Sequence, residues 1–211
     1  MDQKEQLLRQ SLADIMKKLY SRGLISVYGG NASALLDDNS ALFITPSGFN
    51  KENLTKEDLV KVDFRSGLAL GDGKPSSELK THMSVYGTNS AVRAVVHAHP
   101  TTLVGLCTAG HNFGVYTPEQ AILVGKPAVI DFCMGEELAK QASSLCLIYS
   151  AVVVKNHGVF AWGSSIMEAY AKIEILEEAA KMVLAGFSVP GMNAFDEQML
   201  EAVRKNYKPG R

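Results

Sequence analysis

The sequence has 211 residues, with 21 Lys and Arg against 22 Asp and Glu, and 46 % of its residues are hydrophobic. That length favours one domain with a core large enough to stand without disulfides, and the composition excludes a disordered chain. A net charge of -1 supplies no field that would draw nucleic acid or an anionic membrane surface.

In chain order, Leu7, Leu8, Leu12, Ile15, Met16 and Leu19 recur at helical spacing, and Gly23 stands where that helix should stop. Four β-like pieces follow, Leu24 to Tyr28, Ala32 to Leu36, Ala41 to Thr45 and Leu59 to Asp63; Asp37-Asp38-Asn39-Ser40 reads as a hairpin turn. Ser76 is placed to cap a second helix, carrying Leu79, His82, Met83 and Tyr86 at i, i+3, i+4, i+7. Ala94 to His99 is a continuous, Val-rich run that predicts a buried strand. Helices are expected over Thr101 to Ala109 and Gly135 to Leu145, with a weaker strand near Ala128 to Phe132 between them. Ala151 to Lys155 and Val159 to Trp162 read as strands. Ser165 with Glu168 opens a long helix ending near Gly186, and a short helix around Glu197 to Lys205 precedes a tail. Strands cluster early and do not alternate regularly with helices. The expected architecture is a single mixed α/β domain over 1–211, its central sheet largely antiparallel and flanked by helices, with 206–211 as a mobile tail.

Cys107, Cys133 and Cys146 are odd in number, sit in apolar stretches and lack C-x-x-C spacing, so buried free thiols in a reducing compartment are expected. The longest apolar stretch, Leu145 to Val154, falls well short of the ~18 residues that span a bilayer. Met1-Asp2-Gln3-Lys4-Glu5 shows no basic-then-apolar leader, and a cytoplasmic location without membrane contact is the expectation.

The histidines carry the chemistry. His97 and His99 lie two apart at a strand end, so their imidazoles point to the same side of the sheet, and Pro100 ends the strand beside them. His157 follows the next buried strand in Lys155-Asn156-His157-Gly158. If the two strands pair, three imidazoles can hold one metal and leave a position open for water or a substrate oxygen, which is the pattern of a catalytic site. Hydrogen-bonded core histidines are the plainer alternative, and His82 and His111, which lack such partners, are assigned that role.

Three small-residue turns could receive an anion: Tyr28-Gly29-Gly30-Asn31-Ala32-Ser33, Thr45-Pro46-Ser47-Gly48 and Lys74-Pro75-Ser76-Ser77-Glu78. Glycine permits close approach of backbone N–H groups, and Ser or Asn adds a donor. None of the three is a nucleotide-binding loop. Glu78, at the start of a helix, either answers the helix dipole or serves as a general base beside a phosphate held by Ser76 and Ser77.

Taken together these motifs resemble the class II aldolase/adducin head family, and within it the small bacterial sugar-phosphate aldolases. The likeness runs over nearly the whole chain, from Gly30-Asn31 through Thr45-Pro46-Ser47-Gly48, Pro75-Ser76-Ser77-Glu78 and Val96-His97-Ala98-His99 to Asn156-His157-Gly158 and the last helix. The resemblance implies a zinc ion, or Co2+ or Mn2+ in its place, on His97, His99 and His157. It also implies a phosphate held by Gly30, Asn31, Ser47, Gly48, Ser76 and Ser77, with Glu78 as the catalytic carboxylate. Tyr116 and the C-terminal Tyr207 match its proton-donating tyrosines. The implied substrate is a small phosphorylated sugar, and the implied assembly a homotetramer with active sites between subunits. The implied reaction is reversible aldol cleavage of a ketose 1-phosphate to dihydroxyacetone phosphate and an aldehyde. The same scaffold also supports dehydratases and epimerases of pentulose phosphates, decarboxylases of phosphorylated oxo-acids, and the metal-free binding module of adducin heads. Lys155 is the one lysine that invites a Schiff-base reading, and it is assigned a structural role.

Overall fold

The computed structural model describes residues 3–187 and 193–206. The first helix forms as α1 (Gln3–Ser21), burying Leu12, Ile15, Met16 and Leu19 along one side. Gly23 follows in the left-handed region at φ 67, a conformation glycine reaches without strain. The strands are β1 (Asn31–Leu35), β2 (Ala41–Ile44), β3 (Val60–Asp63), β4 (Ala94–Ala98), β5 (Ala128–Ile130), β6 (Ala151–Val154) and β7 (Gly158–Gly163). They form one sheet in the order β3-β2-β1-β4-β7-β6-β5, in which β5–β6 is parallel and every other neighbouring pair antiparallel. The remaining helices are α2 (Leu79–Thr88), α3 (Thr101–Thr108), α4 (Pro118–Leu123), α5 (Gly135–Leu145), α6 (Ile166–Gly186) and α7 (Glu197–Asn206). The α/β class with a largely antiparallel central sheet is as expected.

The sheet divides the interior in two because successive side chains leave a strand on opposite faces. Val96, Val153 and Ala161 face a core shared with α1, α3 and α6, whereas Val95, Val152, Val154 and Trp162 face one shared with α2 and α5. Four expectations change. The segment Leu24 to Tyr28 is not a strand. Its apolar Leu24 and Ile25 are buried, but its carbonyls serve separate partners, Leu24 accepting from His99 N–H at 2.8 Å and Val27 from Lys51 N–H at 2.8 Å, so no ladder forms. Helix α2 starts two residues later than a Ser76 cap would place it, since Glu78 occupies the cap position and the Ser76 hydroxyl accepts the Glu78 N–H at 3.3 Å. Strand β4 pairs with β7, not with β6, so the strand that follows His157 brings it to the pair on β4. Helix α4 was not expected, although its signal is present: Thr117 caps it by accepting the Gln120 N–H, and Pro118 fills its first turn.

All three cysteines are buried and free, and among the described residues no helix is long and apolar enough to cross a membrane.

A candidate metal centre with a facing carboxylate

The centre lies where β4 ends and the β6–β7 turn closes, on the sheet face covered by α2. His97 is buried, stacks on Phe160 at a centroid distance of 4.0 Å, and donates Nδ1–H to the Val159 carbonyl at 3.0 Å. That bond fixes the tautomer and turns the lone pair of Nε2 outward. His99 Nε2 lies 2.9 Å from His97 Nε2. Two nitrogens on one tetrahedral ion, at bonds of about 2.0–2.1 Å, would stand roughly 3.3 Å apart. One ligand nitrogen from each of His97, His99 and His157 falls within a 4.8 Å group. His157 Nδ1 is, among the described residues, a buried side-chain nitrogen with no hydrogen-bond partner. An imidazole set this close, with the Nε2 atoms of His97 and His99 2.9 Å apart and one tautomer already fixed for ligation, fits a divalent ion.

Glycine makes the cluster sterically feasible. A Cβ at position 158 would stand 2.5 Å from the Ala98 carbonyl, 2.6 Å from the His97 ring and 2.8 Å from the His99 ring. At position 29 it would meet the His99 ring at 2.8 Å. Gly30, at φ 67, packs against the His97 carbonyl, so the backbone of that turn is held by the centre itself.

Glu78 faces the imidazoles. Its Oε2 is 3.3 Å from His97 Nε2 and accepts from Asn31 Nδ2 at 2.6 Å, while its Oε1 is 3.1 Å from His157 Nε2. Its side chain makes no capping bond to α2, although the residue sits at the cap position. The helix-dipole reading therefore gives way: this carboxylate is directed at the histidines. Burial opposes its ionisation, but His97, His157 and the Asn31 amide outweigh burial and hold it well below the ordinary carboxylate range. Burial pushes His97 down to about 3 and also lowers His99, so both imidazoles are neutral at pH 7, the form that can ligate a metal.

The three turns read from the sequence as candidate anion sites come together beside this carboxylate. Pro46 bridges to Pro75, Ser47 N–H donates to the Lys74 carbonyl at 3.0 Å, and Ser76 N–H donates to the Thr45 carbonyl at 3.0 Å. These two backbone donors are committed, and the Ser76 hydroxyl accepts the Glu78 N–H at 3.3 Å. Ser47, Gly48 and Ser77 are exposed, Ser76 and Asn31 buried. One contributor is absent from the sequence reading: Lys51 is 2 % exposed and donates to the Phe49 carbonyl at 2.9 Å, which puts a buried positive charge under the Pro46–Phe49 turn. A lysine in a polar run carries no signal of burial, so only the loop's path could reveal it.

Tyr116 makes no bond to His97, His99 or His157 within the chain. It is buried in the α1, α3, α6 core, and its hydroxyl bonds His111 Nε2 at 2.9 Å. Tyr207 lies outside the described residues. Lys155 is paired with Asp131 at 2.8 Å, in keeping with a structural role.

Residues 10–184 match the family model for the class II aldolase and adducin N-terminal domain. The chain belongs to the class II aldolase and adducin family. It is 35 % identical over 170 residues to the L-fuculose phosphate aldolase of Methanococcus maripaludis, covering 80 % of this chain and 91 % of that one. It is also 35 % identical over 190 residues to the 3-oxo-tetronate 4-phosphate decarboxylase of Pectobacterium atrosepticum, covering 85 % and 84 %. Among solved structures, YgbL of Escherichia coli superposes with a TM-score of 0.89 at 27 % identity over 96 % of this chain and 100 % of that one. The family membership, with the histidine cluster and its facing carboxylate, makes this chain an enzyme of the lyase class.

His82 supplies a stability prediction. Burial holds its pKa down at about 4 from 6.5, with Glu78 opposing the shift. A depressed histidine contributes stability that is complete above pH 6.5 and is lost as the pH falls toward 4. For metal-free protein, urea unfolding at pH 7 and pH 4.5 is expected to show about 2 kcal/mol more acid loss in wild type than in His82→Gln, from 1.36 kcal/mol per unit over somewhat less than two units. Equal losses would refute a neutral, buried His82.

Proposed function

We propose that the protein cleaves a ketose 1-phosphate reversibly to dihydroxyacetone phosphate and an aldehyde, using zinc held by His97, His99 and His157. The observation that carries this reading is Glu78, whose carboxylate faces the imidazoles on one side and joins the phosphate-type turns through Asn31 on the other. A divalent ion in that position supplies Lewis acidity to the carbonyl and adjacent hydroxyl oxygens of the substrate. The serine hydroxyls and Asn31 would anchor the phosphate, with the Lys51 charge beneath them, so that the carbon chain extends along Glu78; this is an orientation effect. When the bond to the aldehyde breaks, its electron pair stays on the dihydroxyacetone phosphate fragment as an enediolate. Glu78 then exchanges the proton at that carbon. Tyr116 and Tyr207 are proposed to serve the aldehyde oxygen; since the Tyr116 hydroxyl is bonded to His111 and makes no bond to His97, His99 or His157, it would act on a neighbouring subunit of a homotetramer. A cytoplasmic enzyme is in keeping with three free thiols.

A second reading rests on the equal identity to a decarboxylase. Loss of CO2 from a 3-oxo-tetronate 4-phosphate leaves the same enediolate, with the C–C electron pair on carbon; a proton taken up from solvent and delivered through Glu78 would complete dihydroxyacetone phosphate. One experiment separates the readings: a panel of ketose 1-phosphates and 3-oxo-tetronate 4-phosphate, with Zn2+, Co2+ or Mn2+, assayed for dihydroxyacetone phosphate and its co-product. An aldehyde is expected. CO2 as the co-product would select the decarboxylase, while water loss or inversion without cleavage would select a dehydratase or epimerase. A fully folded, metal-free and inactive protein would select the adducin-like module.

A further inference from the structure

Behind Glu78 runs a buried line of hydrogen bonds that neither the sequence nor the proposed reaction accounts for. Asn31 and Ser33 lie two apart on β1 and so point to one side; Glu78, His82 and Tyr86 lie four apart along the start and body of α2 and so share one face. Two strand residues advance about 6.7 Å and four helical residues about 6.0 Å, so the two repeats stay in step. The side chains interleave accordingly. Asn31 Nδ2 meets Glu78 Oε2 at 2.6 Å and Asn31 Oδ1 meets His82 Nε2 at 2.6 Å. His82 Nδ1 meets Ser33 Oγ at 2.7 Å, and Ser33 Oγ meets Tyr86 Oη at 2.7 Å. Asn31, Ser33, His82 and Tyr86 are all at most 6 % exposed.

The direction of every bond follows from one end. An ionised carboxylate only accepts, so the Asn31 amide must turn its NH2 to Glu78 and its oxygen to His82. His82 must then carry its proton on Nε2, and as a neutral ring it accepts at Nδ1. Ser33 therefore donates to Nδ1 and receives the Tyr86 hydroxyl. Each group is satisfied in this single arrangement, and none could reverse without leaving a buried donor against a donor. An amide does not pass protons along, so the line positions groups and does not conduct.

We propose that His82 is a positioning residue for Glu78: by locking the Asn31 amide it holds Oε2 as a committed acceptor and leaves Oε1 as the oxygen that exchanges the substrate proton. This rests on the reading of Glu78 as the base. The step is balanced as a proton moving between the substrate carbon and Oε1, with the C–H electron pair staying on carbon.

The test has a part that needs no substrate. In 15N-labelled, metal-loaded protein at pH 7, His82 is expected as the Nε2–H tautomer with an unprotonated Nδ1; an Nδ1–H tautomer would overturn the inference whatever the enzyme's substrate. The second part follows deuterium exchange into dihydroxyacetone phosphate, with bound metal measured for each variant. His82→Phe should lower kcat for exchange roughly 10–100-fold with KM and metal content unchanged, as loss of a group orienting a catalytic one does. His82→Gln, which can present an N–H to Asn31, should recover part of the loss. If His82→Phe does not fold, Ser33→Ala, which removes the donor to Nδ1, should lower kcat several-fold, and an unchanged kcat would overturn the proposal. In an Asn31→Ala background, loss of His82 should add nothing. Equal impairment of the Phe and Gln variants, or additive losses in the double variant, would also overturn it. A wild type that exchanges no deuterium, with the Nε2–H tautomer present, would count against the functional reading and not against the tautomer assignment.

Discussion

Replacing Glu78 by glutamine is expected to lower the rate of proton exchange on dihydroxyacetone phosphate by about 10²–10⁴-fold, the usual contribution of a positioned general base. Metal content and KM should stay near wild type. Glutamine keeps the shape of the side chain, and its amide oxygen can accept the Asn31 N–H that now binds Oε2 at 2.6 Å. What it loses is the basic oxygen beside His157, 3.1 Å from Nε2. The rate of deuterium incorporation, followed by NMR in metal-loaded protein, measures the effect directly. Exchange at the wild-type rate would remove Glu78 as the base and leave it as a neighbour of the metal centre alone.

The second large effect concerns the imidazoles. Protein purified without chelator is expected to carry about one divalent ion per chain, and His157→Ala to carry none and to lose turnover. Binding to the folded state alone also stabilises: free metal at a thousand times Kd contributes about 4 kcal/mol, roughly 8–16 °C in Tm for a chain of this length. Chelation should therefore lower the Tm of wild type by that order and leave the His157→Ala variant unmoved. Calorimetry with and without chelator, alongside elemental analysis, provides the check. A wild type that is folded and metal-free, with a Tm indifferent to chelator, would end the metal-dependent reading. His157→Ala is a better probe than a change at His97, whose ring is stacked on Phe160 and hydrogen-bonded to Val159, so that its loss would also open the core.

The histidine cluster was legible because each of its members carries a local signal. His97 and His99 are placed on one side by strand alternation, and His157 stands between the expected strands Ala151 to Lys155 and Val159 to Trp162. The strand partner was not legible in the same way: nothing local distinguishes β6 from β7 as the neighbour of β4. Glu78 shows how position can mislead. At a helix start, a carboxylate usually answers the dipole, and only the fold reveals that its oxygens turn toward His97, His157 and Asn31 instead. His82 reads as one apolar-face residue among Leu79, Met83 and Tyr86, because its partners, Asn31 and Ser33, are about fifty positions away. Lys51 was hidden by residue type, and Leu24 to Tyr28 by composition, since an apolar segment can be buried without joining a ladder.

The sheet order has a consequence for how the centre comes into being. Its middle is built from distant pieces: Asn31 registers with His97 across β1–β4, and His97 with Phe160 across β4–β7. Closing such long loops has to precede the contacts that reward it, so pairings of this kind form slowly and late in folding. The hairpins β1–β2 and β6–β7 can form early, the first carrying Asn31 and none of the three histidines, the second carrying His157 alone. A nascent chain thus does not assemble the three histidines until the central seam has zipped, so a metal bound as proposed would be captured at the end of folding and not at its nucleus.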